Sequence, residues 1–155
     1  MIVTSEIKSK GFLELLEQAG KFAATREGLD PARIEVSLSF VSAKEIRELN
    51  AKYRGIDEST DVLSFPMFES IKSLPYSSLG PESCDAPVLL GDIVICREIA
   101  GIQAAEIGQS MERELLYLFV HSMFHLLGYD HENEDDKLNM RAVEEEVLRE
   151  IGEAN

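Results

Sequence analysis

The 155 residues fit one domain, 1–155, long enough to bury about two-thirds of its unfolded surface around a single core. A hydrophobic fraction of 45% is ordinary for a globular protein, and no apolar run approaches the roughly 18 residues of a membrane span, so a soluble protein is expected. The net charge of −14 argues against a generally basic nucleic-acid surface, yet it is uneven: residues 1–55 carry nine Lys and Arg against eight Asp and Glu, and residues 56–155 carry six against 21. A nucleic-acid groove would therefore use the first third of the chain and a bound cation, with acidic helices facing away.

The N-terminus has neither a basic region nor an apolar core followed by small residues, which reads as no secretory signal and makes the cytoplasm the default location. Ile2-Val3-Thr4 reads as a short edge strand. Phe12, Leu13, Leu15, Leu16, Ala19, Phe22 and Ala23 recur at helical spacing and predict an amphipathic helix over about 11–26, ended by Gly28 and Pro31. Ile34, Val36, Leu38 and Phe40 alternate with polar residues, the period of a half-buried strand. Ser42 and Glu45 form a capping box that opens a helix to about Tyr53, with Ile46 and Leu49 inward. Turn-forming residues from Arg54 to Thr60 lead into a strand at 61–65, stopped by Pro66.

Residues 67–87, rich in Pro, Ser and Gly, predict a long loop excursion. Val88 to Cys96 is the most apolar strand, and Gly91 within it signals a bulge or the close approach of another backbone. Helices are predicted at about 97–107, from Ser110 to about Leu127, and at about 134–151, the last placing Leu138, Val143, Val147 and Ile151 toward the body. Cys84 and Cys96 have no CxxC partner, which points to reduced thiols rather than a disulfide or zinc knuckle. The order β-α-β-α-β-β-α-α-α implies an α+β fold: a single small mixed sheet of about four strands covered by about five helices.

All three histidines stand in one window, His121-Ser122-Met123-Phe124-His125-Leu126-Leu127-Gly128-Tyr129-Asp130-His131. The first two share a helical face about 6 Å of rise apart, so their ring nitrogens can reach a common point. Gly128 can adopt the left-handed conformation that ends a helix and turns His131 back toward that point. Three neutral imidazoles suit zinc, one ion, while also accommodating nickel, copper or iron. With no fourth protein ligand apparent, an open coordination position is expected, as in sites of metal-assisted hydrolysis where a bound water's pKa falls toward about 7. The bland reading is that the histidines decorate a helix end. Tyr129 and Asp130 are candidates to orient the ligands, although Asp130 equally suits a turn.

The same spacing occurs in metzincin peptidases, which need Glu directly after the first histidine as general base. Here that residue is Ser122, which does not take a proton from metal-bound water near neutral pH, so a metzincin-like metallopeptidase lacks its base.

A second stretch, Asn50-Ala51-Lys52-Tyr53-Arg54-Gly55-Ile56-Asp57-Glu58-Ser59-Thr60-Asp61-Val62-Leu63-Ser64-Phe65-Pro66, is more patterned than a turn requires. Together with Gly91-Asp92-Ile93 and the histidine window, it resembles the YbeY family of single-strand endoribonucleases, ribosomal RNA maturation factors. The resemblance runs from about residue 34 to 131, with the preceding strand and helix matching in character alone. Within the histidine motif, Ser122 stands where the family usually has glycine, and Phe124 where it has leucine; Ser122 adds bulk beside the metal that can alter access.

The resemblance implies that His121, His125 and His131 bind zinc and that Arg54 is the functional arginine. A guanidinium can clamp two phosphate oxygens and stabilise the extra charge of a phosphodiester transition state. The implied activity is hydrolysis of single-stranded RNA in small-subunit ribosomal RNA maturation and ribosome quality control. The implied partners are ribosomal RNA and the ribosome or a ribosome-associated protein, without DNA or membrane. Thr60, Asp61 and Ser64 are candidates to hold the loop beside the metal by hydrogen bonds, although Thr60-Asp61 before a strand equally suits a turn, and Phe68 and Tyr76 are candidates to stack on bases or to be buried over the sheet. A ribosome-associated binding module with a structural metal is the alternative from another class; a fourth protein ligand would favour it.

Overall fold

In the computed structural model, residues 2–3, 7–69 and 87–152 are described. The elements are β1 (Ile2–Val3), α1 (Lys10–Arg26), β2 (Ile34–Val41), α2 (Ala43–Arg54), β3 (Val62–Pro66), β4 (Val88–Cys96), α3 (Arg97–Ile107), α4 (Met111–Leu126) and α5 (Glu134–Glu150), with one 3-10 turn at Pro31–Arg33. Each lies within a residue or two of its expected position. Among the described residues the sheet has four strands in the order β1-β2-β4-β3; β1, β2 and β4 are parallel, and β3 runs antiparallel to β4 at the edge. Among the described residues, the expected mixed sheet with five α-helices is observed.

Local chemistry sets the boundaries. Ser42 caps α2 by accepting from the Glu45 amide at 3.1 Å, and its hydroxyl donates to the Glu45 carboxylate at 3.2 Å, a side-chain contact in place of the reciprocal bond to the Ser42 amide that a full capping box makes. Ser110 caps α4 through the Arg113 amide at 3.2 Å. At the far end of α4, Gly128 has φ 102°; its amide donates to the His125 carbonyl and the Tyr129 amide to the Phe124 carbonyl, at 3.0 and 2.9 Å. That is a Schellman ending, and it sends the chain back along the helix as the sequence predicts.

Gly91 satisfies both expectations at once. The β2–β4 register slips at this point: Glu35 faces Leu89 but Val36 faces Gly91, leaving Leu90 as the extra residue of a bulge. With φ at 155°, a Cβ on Gly91 would lie 2.4 Å from the Phe65 carbonyl oxygen and 2.8 Å from Leu126 Cδ2. The strand can therefore press against both β3 and the C-terminal turn of α4.

One face of the sheet (Val36, Leu38, Leu90, Ile93, Ile95) packs with α1, α4 and α5. The other carries a smaller cluster in which Ile46 of α2 meets Leu63 and Cys96. Helix α4 is buried nearly all round, as suits the central element of a helical layer, and offers a rigid mount for side chains at its exposed rim. In α5 the inward stripe is Met140, Val143 and Val147; Leu138 is 65% exposed, contrary to expectation, because it stands two residues, about 200° of helical turn, before Met140. Cys96 is a buried free thiol, while Cys84 lies outside the described residues. Among the described residues, no helix is long and apolar enough to cross a membrane.

Candidate metal centre

His121 and His125 project from the last two turns of α4, and His131 follows the Gly128 turn. One ligand nitrogen from each lies within 4.8 Å of the others. The Nε2 atoms of His121 and His125 are 3.2 Å apart, with their rings nearly perpendicular at 87°. A tetrahedral ion with metal–nitrogen bonds of about 2.0–2.1 Å places its ligand nitrogens roughly 3.3 Å apart, which this pair already matches. Among the described residues no other trio of histidine, cysteine or carboxylate side chains converges in this way. Among the described residues, no fourth ligand joins the three.

Protonation gives an independent test of fit. His125 Nδ1 lies 3.0 Å from the Tyr129 carbonyl oxygen, which only accepts, so Nδ1 carries the proton and Nε2 the lone pair. His121 Nδ1 lies 3.2 and 3.4 Å from the two carboxylate oxygens of Glu144, which in the ionised state also only accept. Two lone pairs therefore face each other across 3.2 Å with no proton between them. Burial, then the neighbouring His121 and His131, push the His125 imidazole below its ordinary value, so charging that ring does not relieve the clash. A cation at the convergence point resolves the arrangement, and neutral nitrogen donors suit a borderline ion such as zinc.

The trio opens into a cleft of about 340 Å³. One wall is His121, His125, Asp130 and His131; the opposite wall runs from Arg54 through Thr60 and Asp61 into Val62, Leu63, Ser64 and Pro66 of the edge strand. The two stretches singled out in the sequence are thus two sides of one cleft. Gly55 ends α2 in the left-handed conformation, φ 71°, and buried Asn50 donates to the Glu58 carbonyl at 2.9 Å, anchoring the loop. Arg54 is exposed at the rim and pairs with no carboxylate among the described residues, so its guanidinium is available to an anion. A larger cavity of about 570 Å³ between α3, α4 and α5 contains no histidine, so donor chemistry rather than volume locates the centre.

Asp61 is structural, as expected of a loop-holding group. It accepts from the Thr60 hydroxyl at 3.2 Å and the Val62 amide at 2.8 Å, and with the Gln103 amide oriented to donate, its second oxygen lies 3.1 Å from that nitrogen. The same Gln103 nitrogen lies 3.1 Å from the buried Glu114, whose other oxygen accepts from Gln109 at 2.6 Å. Burial pushes the Glu114 carboxyl above its usual range. Asp130 accepts from the His131 amide at 2.7 Å, a turn role, whereas Tyr129 orients His125 through its main chain.

Ser122 departs from expectation. It is fully buried, does not line the cleft, and its hydroxyl has no hydrogen-bond partner among the described residues, so its bulk is directed into the core rather than toward the cleft. One helical residue past His121, it points about 100° away. Phe68 packs, partly buried, against the core; Tyr76 lies outside the described residues. Glu144 was not singled out in the sequence because it opens the acidic run Glu144-Glu145-Glu146; the available signal was its place on the apolar stripe of Met140, Val143 and Val147.

A family model described as Endoribonuclease YbeY matches residues 3–152. Endoribonuclease YbeY of Alkaliphilus metalliredigens (strain QYMF) is 50% identical over 147 residues, covering 95% of this chain and 88% of the relative. That of Caldanaerobacter subterraneus subsp. tengcongensis is 51% identical over 119 residues, 77% of this chain and 75% of the relative. The solution structure of TM1509 from Thermotoga maritima superposes with a TM-score of 0.59 at 31% identity, covering 97% of this chain and 91% of that one.

Proposed function

The chain belongs to the YbeY family of endoribonucleases, and we propose that it is a zinc-dependent endoribonuclease, one domain over 1–155, that hydrolyses phosphodiesters of single-stranded RNA. The observation that carries this reading is the convergence of three ring nitrogens within 4.8 Å in the same cleft as Arg54, which pairs with no carboxylate among the described residues. His121, His125 and His131 hold the ion, and Arg54 holds the phosphate. A bound zinc supplies Lewis acidity toward a phosphoryl oxygen and lowers the pKa of a coordinated water toward about 7.

The remaining chemistry belongs to the chain. Arg54 offers a planar fork to two phosphate oxygens and stabilises charge that grows on them in the transition state. A peptide carbonyl makes no such demand, and Ser122, buried and without a carboxylate, supplies no base to a peptidase. Edge strand β3 and the Arg54 loop form a wall in a cleft of small-molecule dimensions, which suits an unpaired strand drawn past the metal rather than an intact duplex. The net charge of −14 opposes RNA everywhere else, so the ribosome or a ribosome-bound protein brings the substrate, in keeping with maturation of small-subunit ribosomal RNA in the cytoplasm.

The test is cleavage of a labelled single-stranded RNA with and without a chelator, and with zinc restored. Arg54→Ala is expected to keep the metal and lose at least about a hundredfold in rate, the scale of one oriented transition-state donor. His125→Ala is expected to lose both metal and cleavage. Parental cutting rates in the Arg54 variant would remove the phosphate clamp, and chelator-insensitive cutting would remove the metal mechanism.

A further inference from the structure

Glu144 is 4% exposed, and its carboxylate reaches a metal ligand from a different helix. Among the described residues, the His121 ring is the sole hydrogen-bond partner of that carboxylate. A carboxylate buried for the fold's sake is ordinarily matched by lysine or arginine. Here the partner is a neutral imidazole whose other nitrogen faces the convergence point. The arrangement leaves a buried negative charge one ring away from the place where a divalent cation would sit.

We propose that Glu144 is a positioning residue of the metal centre. It fixes the proton of His121 on Nδ1, sets the angle of the ring on α4, and offsets the charge of the ion from beneath. His125 receives the first of these services from the Tyr129 carbonyl, which bears no charge, so Glu144 alone adds the electrostatic part. Tyr117, one turn before His121, stacks on the ring with centroids 6.0 Å apart and flanks it on the same helix. The inference rests on the metal-centre reading above and adds to it a residue outside the ligand set.

Outer carboxylates on metal-bound histidines typically contribute about 10–100-fold to affinity. The experiment is a zinc titration of the full chain in competition with a chelating dye, for the parent, Glu144→Gln and Glu144→Leu. Glutamine still accepts from Nδ1 but is uncharged, so about tenfold weaker binding is expected; leucine removes both roles, and about a hundredfold is expected. The melting temperature of the metal-stripped leucine variant should match or exceed that of the parent, since an unmatched buried charge has gone. Affinities of both variants within twofold of the parent overturn the proposal. So does a drop in metal-free melting temperature with zinc affinity retained, which marks a fold-only role. If leucine prevents folding, the glutamine variant decides alone. A parent that binds no zinc overturns the metal-centre reading itself, an outcome distinct from a parent that binds and variants that bind equally well.

Discussion

Replacing Gly91 by alanine tests the link between fold and cleft most directly. The new Cβ would meet the Phe65 carbonyl oxygen at 2.4 Å, Leu126 Cδ2 at 2.8 Å and Pro66 Cα at 3.1 Å. Leu126 is the far end of a side chain and can turn, but the two β3 atoms are backbone and must shift. Overpacking of this kind costs about 1–3 kcal/mol, and a φ of 155° that L side chains rarely adopt adds about 1–3 kcal/mol. Taking roughly 3.5 kcal/mol at about 3 °C per kcal/mol for a chain of this size, the melting temperature should fall by about 10 °C. Because Phe65 adjoins Ser64 and Pro66 of the cleft wall, RNA cleavage should fall as well, even with zinc bound. Gly101→Ala is the control: it lies inside α3, a Cβ there meets only Met111 Sδ at 3.7 Å, and alanine should stabilise by about 0.5–1 kcal/mol. A Gly91→Ala protein melting within 2 °C of the parent, on the order of assay error, would refute the argument that the bulge requires glycine.

Two further outcomes follow from the same geometry. In the metal-stripped protein, burial and the neighbouring imidazoles hold the His125 pKa below its ordinary value, so the unfolded chain takes up the proton first as pH falls. Denaturant melts should therefore show stability that is constant above about pH 6.5, falls below it and levels off beneath the folded value; added zinc should raise stability and steepen the slope, because the ion keeps protons off rings that the unfolded chain still protonates, and a metal-free protein that gains stability on acidification through this window would contradict the assignment. Ser122→Ala removes a fully buried hydroxyl that lacks a partner among the described residues, a group costing about 1–3 kcal/mol, and should raise the melting temperature by about 3–9 °C with zinc affinity unchanged. A gain in zinc affinity instead would return Ser122 to the metal's surroundings.

The elements and the metal trio were legible because their signals are local. Apolar alternation in β2, the Ser42 and Ser110 caps and the left-handed Gly128 each depend on a few neighbouring residues, and all three histidines fall within one helix end and its turn. Helical phase failed at Leu138, where hydrophobicity alone pointed inward while Met140 set the buried face. Glu144 escaped for the opposite reason: a charge on the buried stripe looks like part of a solvated acidic run until its partner on α4 is known.

By itself the sequence determined that a three-nitrogen site with an open position can form, since spacing and one glycine suffice for that. It also determined that a peptidase base is missing and that a second patterned stretch exists. Only the tertiary structure decided that this stretch faces the histidines. Arg54 precedes His121 by 67 positions, and they meet because β3 takes the edge beside β4 while α4 packs across the sheet, bringing both to one cleft. The structure also turned Ser122 into the core and Glu144 onto His121. Local periodicity encodes which face a residue occupies; which other face it meets is set by long-range packing of the sheet and its helices.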